Sequence, residues 1–361
     1  MRKLIAIDSF KGCLSSVEAG RAARDGFILN DPDALVDVLA VSDGGEGWLE
    51  AFEAARGGIG RRIGLEVTGP DGKKVAAEYG IIGGTAVVES ARACGLGLVA
   101  HGGRNVLTAT SYGLGEIVAD AVERGCAEVV IGLGGSATSD AGIGMVQALA
   151  DRWCKGDVDS VVAPEGVKFV VASDVRNPLY GQEGAAKVFG PQKGADAEAV
   201  ELLDRRAKEF AARNAAVRGF DCAMRPGAGA AGGIGYAMME FLGAGCRSGA
   251  EILLDIAGWD DLLNGADLVV TGEGASDRQT LMGKAPWVVM RRASAAGVPT
   301  LLIAGKVDDR ETLLEAGFAE VECINPPERP QEVCLRKEVA LASIRDLMAK
   351  RKPGLRCPAC K

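Results

Sequence analysis

The chain has 361 residues, enough for about two domains at roughly 150 residues each, and 48% of them are hydrophobic and 25% charged. This composition is typical of a folded globular protein and excludes a disordered chain or a small disulfide scaffold. Lysine and arginine total 41 against 49 acidic residues, a net charge of −8; with no long basic stretch and no bilayer-length apolar run, we expect a cytoplasmic protein that binds neither nucleic acid nor membrane.

The first predicted elements alternate between strand and helix. Residues 4–7 predict a buried strand and residues 16–29 an amphipathic helix, and residues 35–41 and 46–56 repeat the pair. A strand followed by a loop and a helix is typical of a parallel sheet.

From about residue 62 the pattern changes. Residues 65–67, 75–82 and 85–89, with a turn at Asp71-Gly72, predict an antiparallel meander. Farther along, residues 111–124 and 197–217 predict helices, and residues 129–133 and 169–172 predict strands.

The parallel pattern returns near the C-terminus, with strands at 267–270 and 299–303 and helices at 285–296 and 332–349. The two ends of the chain are therefore expected to share one sheet. We predict a discontinuous α/β domain of residues 1–62 and 264–361, with residues 63–263 as an inserted α/β domain. The cleft between two such domains is the natural place for a ligand.

Glycine, at 51 residues, is about twice as frequent as usual, and its strongest cluster is the segment 131–140. This segment runs from a predicted strand through Gly134, Gly135, Ser136 and Thr138 to a helix start. Backbone N–H groups and hydroxyls in such a loop can hold a phosphate. The alternative is a capped turn without a ligand.

A second cluster, Gly227, Gly229 and Gly232, matches the G-x-G-x-x-G fingerprint. The dinucleotide fingerprint needs a buried strand directly before it, and Pro226 argues against one. The remaining interpretations are glycines packed closely against a neighbouring element and a loop that faces a ligand.

Three loops at predicted strand ends are rich in acids. Ligands of open parallel sheets bind at the carboxyl ends of the strands, where a carboxylate can bind Mg²⁺ or accept a hydroxyl proton and a lysine can balance an anion. For any single acid the alternative is a helix cap. The candidates are Asp8, Ser9 and Lys11 after the first strand, Asp43 and Glu46 after the second, and Asp277 after the late loop at 271–274.

Two candidates lie in the predicted inserted domain: Asp174 as a metal ligand and Lys193 as a phosphate ligand, each with a solvated turn charge as the alternative. The ten cysteines are expected to be reduced. Cys357 and Cys360 form one C-x-x-C pair, and His101 is the only histidine, which excludes a multi-histidine metal site.

Seven motifs occur in the order found in bacterial glycerate kinases: DSFKG with Leu14-Ser15 at 8–15, DGGEG at 43–47, ATSYG at 109–113, GLGGSAT with Asp140 at 132–140, FGPQKGA at 189–195, PGAGAAGG at 226–233, and TGEG with Asp277 at 271–277. From Ile5 to about Gly305 the chain resembles the glycerate 2-kinase family. The resemblance implies ATP-dependent phosphorylation of D-glycerate to 2-phosphoglycerate with Mg²⁺. It also implies a discontinuous flavodoxin-like parallel-sheet domain that encloses a restriction-enzyme-like α/β domain.

The chemistry of the side chains at these family-matching positions leads to one hypothesis for the site. The catalytic candidates are Asp43 as proton acceptor, Lys11 and Asp277; the substrate-binding candidates are Asp8, Ser9, Lys11 and Glu46; the metal candidates are Asp174 and Asp277; and the ATP-binding candidates are Gly134, Gly135, Ser136, Thr138, Gly227, Gly229 and Lys193.

The chain departs from the family pattern in a few places. Ala275-Ser276 stand where the family usually has Arg-Ile, Ile7 replaces a proline, Ser139 and Ala141 flank Asp140, and the segment 150–169 is short. A methyl group cannot replace a guanidinium at an anion contact. These departures leave two alternatives, a kinase for another small hydroxy acid and a non-catalytic sugar-acid-binding protein. The glycines from Gly227 to Gly232 leave a third, a dinucleotide-dependent oxidoreductase. A homodimer is compatible with the sequence, which does not determine the oligomeric state.

Overall fold

The computed structural model describes residues 1–58, 60–99 and 105–351. The chain divides into two compact units. The first unit comprises Met1–Asp43, Glu50–Gly58 and Ser248–Lys361, and the second comprises Gly44–Leu49 and Ile59–Arg247. His101 and the pair Cys357 and Cys360 lie outside the described residues.

Strands and helices are both distributed along the whole described chain. The strands are β1 (Arg2–Ile7), β2 (Leu35–Ala40), β3 (Arg61–Thr68), β4 (Lys74–Ile82), β5 (Thr85–Glu89), β6 (Glu128–Gly132), β7 (Lys168–Ala172), β8 (Gly245–Arg247), β9 (Leu268–Ser276), β10 (Thr300–Val307) and β11 (Glu320–Cys323). The helices are α1 (Ser16–Asn30), α2 (Trp48–Ala55), α3 (Ala91–Cys94), α4 (Tyr112–Glu123), α5 (Ile143–Trp153), α6 (Ala185–Phe189), α7 (Ala197–Arg218), α8 (Ile234–Leu242), α9 (Gly249–Ile256), α10 (Trp259–Leu263), α11 (Ala285–Ala295), α12 (Arg310–Glu315), α13 (Gln331–Cys334) and α14 (Lys337–Ala349).

The first unit is built on a parallel sheet in the order β11-β10-β9-β1-β2. Successive residues of the strands face opposite sides of the sheet, so both sides carry apolar residues. Ile5 and Val270 pack with α1 and α14 on one face, whereas Leu4 and Val269 pack with α9, α10 and α11 on the other. The result is a sheet with helices on both faces.

The start of α1 connects the strand ends of this unit. Ser15 caps the helix in a capping box with Glu18. The hydroxyl of the next residue, Ser16, donates to the carbonyl of Ile7 at 2.6 Å and accepts the N–H of Val41 at 2.9 Å. One buried hydroxyl therefore ties together the chain at the ends of β1 and β2.

The second unit contains a mixed sheet in the order β3-β4-β5-β6-β7-β8. The pairs β3–β4 and β4–β5 are antiparallel, and the pairs from β5 to β8 are parallel. Helices α4, α5 and α8 pack on it around a core that includes Ile117, Val146 and Met238. The meander predicted for residues 65–89 is confirmed.

The α/β class with largely parallel sheets is confirmed, while two element predictions are wrong. The strand predicted to end at residue 270 continues to Ser276, because β10 extends beside it and pairs Lys306 with Ala275. The helix predicted at 332–349 is divided into α13 and α14. Among the described residues, no helix has the length and apolarity needed to cross a membrane.

Candidate active site

Three acidic side chains follow neighbouring strands at the carboxyl edge of the first unit's sheet. Ile7 at the end of β1 pairs with Ala40 on β2 and with Gly272 on β9, so Asp8, Asp43 and Glu273 emerge at nearly the same level. In the sheet, β1 lies between β2 and β9. The chain continues from β1 to β2 on one side of β1, and the later strands β9, β10 and β11 follow on the other side. Such a reversal of strand order is where ligands of open parallel sheets bind.

Asp8 is a buried carboxyl group, with its side-chain Oδ1 accepting the N–H of Ser9 at 2.7 Å. Burial, followed by the negative charge of Asp43, raises the pKa of Asp8 well above its usual value, and Glu273 contributes in the same direction. Buried carboxyls with raised pKa values are common at functional sites.

Lys11 reaches across to Asp43, with its Nζ 2.9 Å from Oδ2. The charge of Asp43 raises the pKa of Lys11, so this lysine stays protonated at neutral pH. The predicted catalytic pair is therefore brought together, with the cation already engaged by a carboxylate.

Glu273 is the residue of this cluster that the sequence hypothesis left out. Its Oε1 accepts the hydroxyls of Ser276 at 3.0 Å and Thr280 at 2.6 Å, and its Oε2 lies 3.3 Å from Lys284 Nζ. These donors orient a nearly buried carboxylate. The sequence signal is the alternation of Glu273 with two glycines in TGEG, a pattern that by itself predicts a loop.

These side chains line a cavity of about 1200 Å³ within the first unit. Asp8, Ser9, Lys11 and Asp43 are all among its lining residues, together with Glu273. The wall also carries basic residues, namely Lys284, Lys306, Arg310, Arg329 and Lys350. Most of the predicted acid-and-lysine site thus lies in one large cavity.

Two predicted residues lie elsewhere. Asp277 is not among the residues that line this cavity; its Oδ1 accepts the N–H of Gln279 at 2.7 Å and caps a 3₁₀ turn at Arg278–Met282. Glu46 belongs to the second unit and is exposed. Ser276, one of the departures from the family pattern, helps to orient Glu273.

In the second unit, the glycine loop after β6 is closely packed. Three of its N–H groups already donate to backbone carbonyls: Leu133 to Ala172, Gly134 to Gly44, and Ala137 to Cys94. A Cβ on Gly134 would overlap Gly45. Gly135, by contrast, is exposed and has a φ of +70°, so fewer amides are available to an anion than the sequence suggested.

Lys193 contacts this glycine loop through its ammonium group. Its ammonium donates to Ser136 Oγ at 3.1 Å and to the carbonyl of Thr138 at 2.6 Å. Burial lowers the pKa of Lys193 to about 8. The predicted grouping of Lys193 with Ser136 and Thr138 is therefore present in the fold.

Gly227 and Gly229 are buried and face protein. A Cβ on Gly227 would overlap the sulfur of Cys246, and one on Gly229 would overlap the carbonyl of Pro178. No strand precedes them in residues 219–226, which disfavours a dinucleotide fingerprint. Close packing accounts for these glycines, and nucleotide contact stays a prediction.

The carboxylate oxygens of Asp174, a predicted metal ligand just beyond β7, are shielded from solvent. Asp140, at the end of the glycine-loop segment, accepts hydrogen bonds from Ser111 and from the N–H groups of Gly142 and Gly144. Within residues 1–58, 60–99 and 105–351, no group of three or more acidic, cysteine or histidine side chains is arranged to hold a metal ion.

Comparison with known proteins identifies the relatives of this chain. The family model described as "Glycerate kinase family" matches residues 3–166 and 152–350. The chain belongs to the glycerate kinase family. Relatives within it include a glycerate kinase from Bacillus subtilis, 39% identical over 92% of both chains, and a glycerate 2-kinase from Escherichia coli, 41% identical over 86% of both chains.

A solved structure shares the fold. The crystal structure of a putative glycerate kinase 2 from Salmonella typhimurium matches with a TM-score of 0.80 and 38% sequence identity, covering 97% of this chain and 96% of that one. Because the match extends over nearly the whole of both chains, both units are part of the glycerate kinase architecture.

Proposed function

We propose that this protein catalyses the ATP-dependent phosphorylation of D-glycerate and that its product is 2-phosphoglycerate. The observation that carries the proposal is 41% identity over 86% of the chain to a protein named glycerate 2-kinase. Phosphoryl transfer requires positioning and charge neutralisation more than covalent catalysis. The proposal is supported by the cluster of Asp8, Lys11, Asp43 and Glu273 in the first unit, which supplies charged groups at fixed positions.

The residues of the chain fit a magnesium nucleotide. Mg²⁺ usually takes one or two protein carboxylates together with substrate phosphates and water, so the lack of a three-residue cluster among the described residues is no obstacle. The proposed ligand is Asp277, in the first unit, or Asp174, in the second. Bound Mg²⁺ and ATP would supply the phosphoryl group and neutralise its charge.

We assign the role of proton acceptor to Asp43. Lys11 Nζ lies 2.9 Å from Asp43 Oδ2, and this ion pair orients the carboxylate toward the acceptor hydroxyl. Glu273, fixed by Ser276, Thr280 and Lys284, lies on the neighbouring strand and keeps the local charge negative. The exposed Gly135 supports phosphate contact at the glycine loop.

The strand order supports a flavodoxin-like first domain. Renumbered within the first unit, the order β2-β1-β9-β10-β11 becomes 2-1-3-4-5, which is the flavodoxin-like order. The proposed domains are residues 1–62 with 264–361 and an inserted, restriction-enzyme-like domain of residues 63–263; the two compact units differ from these bounds at 44–49, 59–62 and 248–263, where α9 and α10 pack on the first unit's sheet.

The test is an ADP-release assay of purified protein with ATP and Mg²⁺, with and without D-glycerate, followed by phosphorus NMR of the product. Turnover that depends on D-glycerate, with the phosphate on the 2-hydroxyl, supports the proposal. Asp43→Asn should lower kcat by about 100-fold or more, as expected for loss of a general base. ADP release at the same rate with and without D-glycerate would refute the assignment of glycerate kinase activity.

A matched control is Asp37→Asn. Asp37 lies on β2, the strand that Asp43 follows; its side chain is half exposed and pairs with Arg2. Its loss should leave kcat within about twofold, since exposed ion pairs contribute about 1 kcal/mol or less. Equal losses in both variants would point to a general destabilisation instead of a role for Asp43.

A further inference from the structure

The strands β9 and β10 continue together beyond the end of β1. β1 pairs with β9 only as far as Gly272, whereas β10 stays paired with β9 to the end of both strands. We call residues 273–276 and 304–307 the β9–β10 extension. A Cβ on Gly274 would make ordinary contacts with the backbone of Phe10, so the extension lies against the loop that follows β1 in the first unit.

One face of the extension lines the cavity of about 1200 Å³. Lys306 is the register partner of Ala275, and side chains at paired and at alternate positions point to the same side of a sheet. Glu273, Ala275 and Lys306 therefore share a face, and all three line the cavity. Because Ala275 carries only a methyl group and is exposed, the space beside it is open to the side chain of Lys306.

Lys306 is paired less firmly than the lysines deeper in the site. Lys11 and Lys284 are each paired with a carboxylate that lines the cavity. Lys306 Nζ lies 2.7 Å from Asp308 Oδ2, with side chains that are 72% and 53% exposed, and Asp308 is not among the lining residues. An ion pair this exposed contributes about 1 kcal/mol or less, so an anion in the cavity can replace Asp308.

The ammonium group of Lys306 is charged and lies near a proposed magnesium ligand. The hydrogen bond to Asp308 raises the pKa of Lys306, and the negative charge of Asp277 acts in the same direction. A lysine close to a bound magnesium ion is typical of sites that neutralise a transferring phosphoryl group. The position of Lys306 therefore favours a phosphate ligand.

We propose that Lys306 binds the phosphoryl group that is transferred to glycerate and then holds the phosphate of the product. The inference rests on the proposed kinase function, and it agrees with the assignment of the acceptor hydroxyl to Asp43, which lines the same cavity of the first unit. A phosphate monoester carries a charge of about −1.5 to −2 at pH 7. Lys11 and Lys284 already serve carboxylates, so the phosphate needs a further cation.

In the transfer, the bond between the γ-phosphorus and its bridging oxygen breaks, and ADP keeps the electron pair. A bond from the acceptor oxygen to the same phosphorus forms, and the hydroxyl proton passes to Asp43. Lys306 stays protonated and neither gains nor loses a covalent bond. Its contribution is therefore electrostatic, acting on the charge of the equatorial phosphoryl oxygens.

The test is calorimetric titration of Lys306→Met with 2-phosphoglycerate and, separately, with D-glycerate, together with steady-state kinetics. The Kd of 2-phosphoglycerate should rise about tenfold or more and kcat should fall by a similar factor, as expected for loss of a charged hydrogen bond. The Kd of D-glycerate should change less than about twofold, because glycerate has no phosphoryl group. Lys337→Met is the matched control, since Lys337 pairs with Glu18 on the surface and does not line the cavity.

A rescue variant separates a phosphate contact from a structural role. The side chain at position 275 emerges beside that of Lys306, so an arginine there can reach the same phosphate as a guanidinium. Ala275→Arg combined with Lys306→Met should return the Kd of 2-phosphoglycerate to within about threefold of the original value. Ala275→Leu in the same background supplies bulk without charge and should recover nothing.

Lys306→Met is expected to fold, because substitutions of exposed side chains usually change the free energy of unfolding by about 0.5 kcal/mol or less, and a thermal melt verifies this. Equal losses of 2-phosphoglycerate and D-glycerate binding would overturn the proposal. So would recovery by both substitutions at position 275, or by neither.

The two hypotheses fail separately. Binding of 2-phosphoglycerate that depends on Lys306, without glycerate-dependent ADP release, would refute the kinase and retain the phosphate site. Glycerate-dependent turnover with an unchanged kcat and an unchanged Kd of 2-phosphoglycerate in Lys306→Met would retain the kinase and refute this site.

Discussion

At the scale of single residues, the buried carboxyl of Asp8 shows how a group in the candidate active site lowers the stability of the folded protein. Its pKa is raised by burial and by the charge of Asp43, so the ionised form is disfavoured in the folded protein. An acid with a raised folded-state pKa destabilises the fold above that pKa, and the penalty disappears as the pH falls toward the unfolded value of 3.8.

Asp8→Asn should therefore raise the melting temperature at neutral pH, by about 2–4 °C for a gain of about 1 kcal/mol, and the gain should shrink toward pH 4. Glycerate-dependent turnover should fall, because substitutions that stabilise a functional site commonly reduce activity. Thermal melts between pH 4 and pH 8 check this. A variant that is less stable at every pH would show that Asp8 is structural.

At the scale of elements, the first turn of α1 sets the two strand ends that carry Asp8 and Asp43. Ser16→Ala removes the hydroxyl that bridges Ile7 and Val41 and leaves a buried N–H unsatisfied. The expected loss of unfolding free energy is about 1–3 kcal/mol, with a lower kcat because both acids follow these residues.

Urea denaturation of Ser16→Ala measures this loss, with Ser15→Ala as the comparison. Ser15 caps the same helix from an exposed position, so its loss of about 1 kcal/mol should leave kcat unchanged. If both variants lose kcat equally, helix stability and not the bridge controls the site.

Strand β9 shows where sequence reasoning reaches its limit. The pattern TGEG predicts a loop, yet Gly272 and Gly274 both belong to the strand. A Cβ on Gly272 would overlap the carbonyl of Ile303 on β10, and Gly274 lies against Phe10. Gly272 serves close backbone approach, a tertiary requirement that local propensity cannot distinguish from a turn, whereas a Cβ on Gly274 would make only ordinary contacts.

At the scale of the whole molecule, the alternation of strand and helix patterns predicted the α/β fold class, because hydrophobic periodicity can be recognised within each short segment. The return of the same pattern near the C-terminus predicted that the two chain ends share one sheet. The acids Asp8 and Asp43 were found because they follow strands. The hydrogen bonds of Lys193 to Ser136 and Thr138 join residues far apart in the chain, and a single sequence does not contain these distances. Glu273 and Ser276 are near neighbours in the chain, but their roles depend on the continuation of β9 beside β10.

The return of the chain to its first sheet also makes the last helix essential. Ala340, Ile344 and Met348 of α14 are buried in the core that contains Phe27 of α1. A backbone carbonyl of α14 lies against Gly26 of α1, where a Cβ would overlap it. Buried side chains of the size of Ile344 and Met348 contribute about 1.5–3 kcal/mol each, a large share of the about 5–15 kcal/mol by which domains are stable.

Deletion of residues 337–361 should therefore abolish the cooperative unfolding of the first unit and expose the apolar face of α1. Deletion of residues 352–361 is the matched truncation, because it removes the C-x-x-C pair and keeps every described helix; its melt and its kinetics should equal those of the full chain. Circular dichroism melts and dye binding to exposed apolar surface distinguish the two. A cooperative melt at the full-length temperature after loss of α14 would show that α1 and the sheet are stable without it. A loss of turnover with an unchanged melt in the 352–361 deletion would assign the cysteine pair a role in function.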